Sequence, residues 1–170
     1  MKKLLFASIL SFLAISFTAS AQTYEVPKDY VLKVKEDYPK YNDDVVKTVD
    51  WLQQTSWAEQ TDKRKEASAF LIAWITGSPD VSVEIGSALL KLADKNKELL
   101  ITFMGGYTKY AILHKSDFDK NQANVFALRA MIEKYNNEPT RKKDSAMEKL
   151  IKMDKDGKLE EWVKTDFLKS

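Results

Sequence analysis

From about Asn42 to Phe167, apolar side chains recur every third or fourth position. No stretch alternates at period two for long enough to make a strand. That spacing puts one greasy stripe on each of several helices, and a striped helix is stable only when the stripe is buried against another. The chain therefore reads as all-α: a single irregular bundle of about six to seven helices arranged as antiparallel hairpins, because the intervening loops are short.

The first clear helix follows Asn42 or Asp43 and carries Val45, Val46, Val49 and Leu52 at i, i+3, i+4, i+7. A second spans about Thr61 to Thr76. It is apolar nearly all round, through Ala69, Ile72 and Ala73 as well as Phe70, Leu71 and Trp74, which predicts a central position. Gly77 reads as its C-terminal cap. Ser78, Pro79 and Asp80 have the order of a helix start, predicting a third helix with Val81, Ile85, Ala88, Leu89 and Leu92 inside. Asn96 is placed to cap a fourth helix ending near Leu113. Asp119 and Gln122 form a capping-box pattern for a fifth, with Ala123, Phe126, Ala127, Ala130 and Met131 facing inward. Asn136, Asn137 and Pro139 stop it. A sixth is expected from Thr140 to about Met153, and a seventh from Lys158 to Phe167. Before all of these, residues 22–41 form an arm bearing Tyr24, Tyr30, Tyr38 and Tyr41, with a short helix over 30–38 that ends before Pro39. The domain proper is 42–170, and no residue pattern repeats between helix pairs.

Residues 1–21 have the layout of a secretory signal peptide. Lys2 and Lys3 precede an uncharged run, Leu4 to Phe17, and small residues follow up to Ala21. The run is roughly 14 residues, short of the ~20 that a spanning helix needs. Cleavage after Ala21 would leave about 149 of the 170 residues, with no membrane span and a periplasmic or secreted destination. Losing Lys2 and Lys3 from 27 Lys+Arg balances them against 25 Asp+Glu, so the remainder is formally neutral. Neutrality argues against nucleic acid as a partner. Cysteine is absent, which removes disulfides, thiol catalysis, Fe–S clusters and Cys-type zinc sites; burial of a chain that is 44% hydrophobic must hold the fold.

Chemistry-bearing patterns are thin. Asp154, Asp156 and Gly157 resemble the middle of a calcium loop, but that register puts Lys152 and Val163 at its first and last ligand positions. A helix–turn–helix corner with Gly157 at positive φ accounts for them better. His114, the one histidine, sits where a helix C-terminus favours a cation. Acids such as Asp43, Asp44, Asp50, Glu59, Glu66, Glu84, Asp117 and Asp119 are too numerous for any pair to be singled out as catalytic. Nothing calls for a cofactor or metal. Gly105-Gly106, inside an apolar helix, is harder to dismiss: each glycine costs about 1 kcal/mol there relative to alanine. Close helix approach is the commoner cause; room for a ligand beside Tyr107 and Tyr110 is the other. Gly105, Gly106, Tyr107 and Tyr110, with the turn at Ser78 and Asp80, are thus the candidate ligand-binding residues.

The segments Ala69-Phe-Leu-Ile-Ala-Trp-Ile-Thr-Gly-Ser-Pro-Asp-Val-Ser-Val-Glu84 and Phe103-Met-Gly-Gly-Tyr-Thr-Lys-Tyr110 resemble uncharacterised secreted all-helical proteins of Bacteroidota. The resemblance implies an envelope or extracellular location and carries over no catalytic residue. The expected function is an exported, non-catalytic module that binds an envelope protein or small ligand. The alternatives are a small hydrolase acting on envelope glycans or peptides through a carboxylate pair, and a purely structural envelope component.

Overall fold

The computed structural model describes residues 24–169. The leader expected over 1–21 lies outside them. Seven α-helices and no strand occur among the described residues: α1 (Asn42–Gln54), α2 (Thr61–Gly77), α3 (Ser87–Ala93), α4 (Glu98–Leu113), α5 (Lys120–Asn137), α6 (Ser145–Lys155) and α7 (Leu159–Trp162). The all-α bundle read from periodicity is the observed fold.

The centre is α4. It packs most extensively on α5 and also meets α1, α2 and α3. Its buried residues, among them Leu99, Phe103, Tyr107 and Ala111, join Phe70, Leu71, Leu128, Met131 and Phe167 in one continuous core. Burying each such side chain is worth about 1.5–3 kcal/mol. By contrast α2, expected to be central, lies on the flank: Ile72 is 45% exposed, and Ala69 also faces out. Its all-round apolar surface exceeds what its neighbours cover.

Several predicted boundaries move. The arm has no helix over 30–38; a 3₁₀ turn, Tyr38–Tyr41, starts there, with Pro39 in its first turn. Proline suits that position, since its missing N–H is one the first turn leaves unused. No helix begins at Ser78. The chain runs on without helix to Gly86, and α3 starts at Ser87. Val81 is buried all the same, while Ile85 is 46% exposed. Asn96 does not cap α4 with its side chain, which turns to the backbone of Lys142. Asp144, not Thr140, caps α6, accepting from Ala146 N–H at 2.8 Å. Asp119 caps α5 as expected, accepting from Gln122 N–H at 2.9 Å. Phe126, placed inside by spacing, is 40% exposed. The seventh helix continues beyond Trp162 as a π-helix, Val163–Phe167, which turns Val163 and Phe167 into the core.

The tyrosine arm lies over α1 and α2. Tyr24 stacks on Trp51, Tyr30 and Tyr41 meet Phe70 edge-on, and Tyr38 meets Trp74 edge-on. The indole N–H of Trp74 donates to Tyr38 carbonyl at 3.0 Å.

Candidate functional site

Gly105 and Gly106 are adjacent on α4 and therefore face different neighbours. A Cβ on Gly105 would stand 3.1 Å from Val49 Cγ2 and 3.3 Å from Leu71 Cδ2. One on Gly106 would stand 3.0 Å from the Ala127 Cα. The pair thus lets α1 and α5 approach α4 from two sides, which is the packing account of their cost. The same two residues floor a crevice of about 220 Å3 between those helices. Val49, Leu71, Ile101, Phe126 and Ala130 make its apolar wall. Asp50, Gln53, Gln54, Thr102, Lys109 and Glu133 make its polar rim. Lys109 Nζ is paired to Asp50 Oδ1 across the rim.

Ser78 and Asp80 line a second crevice, of about 310 Å3, at the ends of α2 and α4. Tyr38, Trp74, Val81, Ala111, Ile112 and Phe118 complete much of its lining. Lys115 Nζ bonds Asp80 Oδ2 at 2.8 Å at its edge. The Ser78 hydroxyl oxygen is buried and has no hydrogen-bond partner among the described residues. A buried hydroxyl without a partner is costly and uncommon.

Tyr110 connects the two. Its ring lies 5.8 Å from that of Phe126, on the first crevice, and 6.3 Å from that of Phe118, on the second. The His114 ring stacks on Tyr110 at 4.2 Å, and Tyr107 packs edge-on against Phe118 from below. Burial raises the hydroxyls of Tyr107 and Tyr110 above the ordinary tyrosine range. Phe118 and Phe126 are 45% and 40% exposed, so the ridge is wet along its crest. Of the six sequence-predicted residues, Gly105 and Gly106 line the first hollow and Ser78 and Asp80 the second, Tyr110 lies between them, and Tyr107 is buried beneath Phe118. Phe118 and Phe126, which make the ridge, were missed as site residues.

A second cluster was not foreseen. Beneath the C-terminal end of α1, Arg64, Lys134 and Glu138 are buried together. Lys134 Nζ donates to the Thr55 carbonyl at 2.7 Å and lies 3.5 Å from Glu138 Oε2. Arg64 donates to the Thr55 carbonyl at 2.7 Å and the Leu52 carbonyl at 3.3 Å. Two cations thus meet the carbonyls that the end of a helix leaves unpaired. Burial pushes the Glu138 carboxyl up, but bonds from the Thr140 hydroxyl, Trp57 N–H, Ser56 hydroxyl and Thr140 N–H outweigh it, leaving it at about 2. Burial lowers Lys134 and Arg64. The only sequence signal was Lys134 and Glu138 at i, i+4. The cluster is enclosed and opens on neither crevice.

Gly157 has φ of 70°, as the helix-corner reading required. No group of three or more acids and histidine that could hold a metal ion occurs among the described residues. Glu84 is exposed and paired to Lys120. Among the described residues no helix is long and apolar enough to cross a membrane. No family model matches this chain, and neither does any curated protein or solved structure.

Proposed function

We propose that the chain is an exported, non-catalytic binding module and that its binding face is the Phe118–Tyr110–Phe126 ridge with the hollow on either side. Export rests on the leader-like residues 1–21, and the uncharacterised secreted proteins of Bacteroidota that the sequence resembles are its proposed relatives. The preferred partner is a protein segment laid across the ridge, with one side chain in each hollow. The observation that carries this reading is the size and pairing of the hollows. About 220 and 310 Å3 lie at or below the lower end of the range for a small-molecule site, so each suits a side chain better than a whole ligand. Exposed aromatics flanking such hollows are where binding energy concentrates in protein interfaces. The Ser78 hydroxyl supplies a polar contact within the second hollow.

Site-specific photocrosslinking tests it. A photoreactive residue at Phe118 or Phe126 should trap one protein in the native envelope, and the same residue at exposed Lys164 should not. Phe126→Asp with Phe118→Asp should abolish that product while far-UV circular dichroism is unchanged. Equal labelling from all three positions would defeat the proposal. The hydrolase alternative has a specific claim on the same place, because Asp50 and Glu133 both line the first hollow. Turnover of a cell-wall fragment that is lost in both Asp50→Asn and Glu133→Gln would establish it instead.

A further inference from the structure

Asn96 stitches two basic stretches of the chain together. Its buried side chain donates to the Lys142 carbonyl at 2.9 Å and accepts from the Lys142 N–H at 2.7 Å. This clip lays Lys95, in the turn before α4, beside Lys142 and Lys143, in the loop before α6. Lys95 Nζ reaches the Lys143 carbonyl at 3.4 Å. Lys149, from α6, joins Lys95 and Lys143 around a wide, shallow basin in which Glu148 is the one carboxylate. All four lysines are exposed. None lies within ion-pair distance of a carboxylate among the described residues. Asp94 is the other exposed acid beside them in sequence. Lys115 and Lys120, by contrast, are paired to Asp80 and Glu84. Four unpaired lysines thus gather around one basin.

We infer that this basin is an electrostatic docking surface for the anionic headgroup plane of a lipid bilayer. The cations are lysines, compact point charges with no fixed fork, so they match a field of anions better than one oriented oxyanion. The neighbouring Arg141 guanidinium is already taken, by the Asn136 and Glu138 carbonyls and the Tyr135 ring. The basin is open to solvent rather than closed around a single phosphate. No aromatic ring lines it, which removes the stacking platform that single-stranded nucleic acid uses. An extended negative surface fits what remains, at about five-fold in partitioning for each lysine near it. The inference is independent of the aromatic face, which uses other helices.

Vesicle co-sedimentation of the full chain tests it, using phosphatidylcholine vesicles with and without phosphatidylglycerol. The readout is the ratio between the two, taken relative to that of a peptide of residues 1–21, because Lys2 and Lys3 beside the apolar segment Leu4–Phe17 also favour the anionic vesicles. The ratio should exceed ten-fold at low salt and collapse at high salt. Replacing Lys95, Lys142, Lys143 and Lys149 by Gln should remove it. Replacing Lys28, Lys33, Lys35 and Lys65, which are equally exposed, should change it by less than about three-fold. Inorganic phosphate at matched ionic strength should not compete. Equal loss in the two quadruple variants, or no preference for the anionic vesicles, would overturn the inference. So would competition by phosphate, or binding to poly-glutamate without binding to the vesicles.

Discussion

Gly77 and Tyr38 occupy space that only one of them can fill. A Cβ at Gly77 would stand 1.9 Å from the Tyr38 hydroxyl oxygen and 2.8 Å from its ring carbon Cζ. Tyr38 cannot retreat easily, because its ring packs on Trp74 and its carbonyl holds the Trp74 indole. Gly77→Ala should therefore cost about 1–3 kcal/mol, measured by chemical denaturation. In that background Tyr38→Phe should recover part of the loss and not all, because the ring carbon remains too close.

The two glycines of α4 should respond differently to the same change. Gly105→Ala meets side-chain methyls of Val49 and Leu71 at 3.1–3.3 Å, which must shift slightly, and it gains about 1 kcal/mol of helix propensity, so the two effects should nearly offset. Gly106→Ala meets the backbone of α5 at Ala127, which cannot move by itself, and should destabilise by about 1–3 kcal/mol. Thermal melts of the two variants side by side check the ordering.

Glu138 gives the fold an acid dependence. Its carboxyl falls from 4.5 to about 2 on folding, so its contribution is complete above about 4.5 and is lost as pH drops toward 2. Glu138→Gln should cost about 3 kcal/mol at neutral pH, since it strips Lys134 of a buried counter-charge. It should also flatten the stability curve between pH 4.5 and 2, read from urea midpoints at each pH.

Asn96→Leu removes both bonds of the Lys142 clip and leaves a backbone N–H and carbonyl without partners. A loss of about 2 kcal/mol is expected. Hydrogen exchange should report it as faster exchange at Lys142.

Helix existence was legible because stripes such as Val45, Val49 and Leu52 repeat with the helix period whatever surrounds them. Helix ends were less so. Ser78-Pro79-Asp80 has the chemistry of a start, yet Asp80 went to Lys115 and Ser78 to a crevice wall. Asn96 was likewise drawn to a partner 46 residues away, Lys142. Capping patterns record what a side chain is able to do locally, and tertiary partners outbid them. Gly105 and Gly106 stood out because two glycines are anomalous within a helix, and Tyr107 and Tyr110 only as their neighbours. Phe118 and Phe126 did not, since exposure of an aromatic at a loop or helix position leaves no mark in spacing.

The paired cations under α1 also tie an early helix end to distant parts of the chain. The last carbonyls of α1 are shared between Arg64, nearby on α2, and Lys134, roughly half the chain away on α5, so the finished terminus of the first helix includes a group from the fifth. A nascent chain halted short of that lysine would hold Arg64 alone against the same oxygens. The molecule is in that sense fastened across its length, one end of the first helix being held from the fifth.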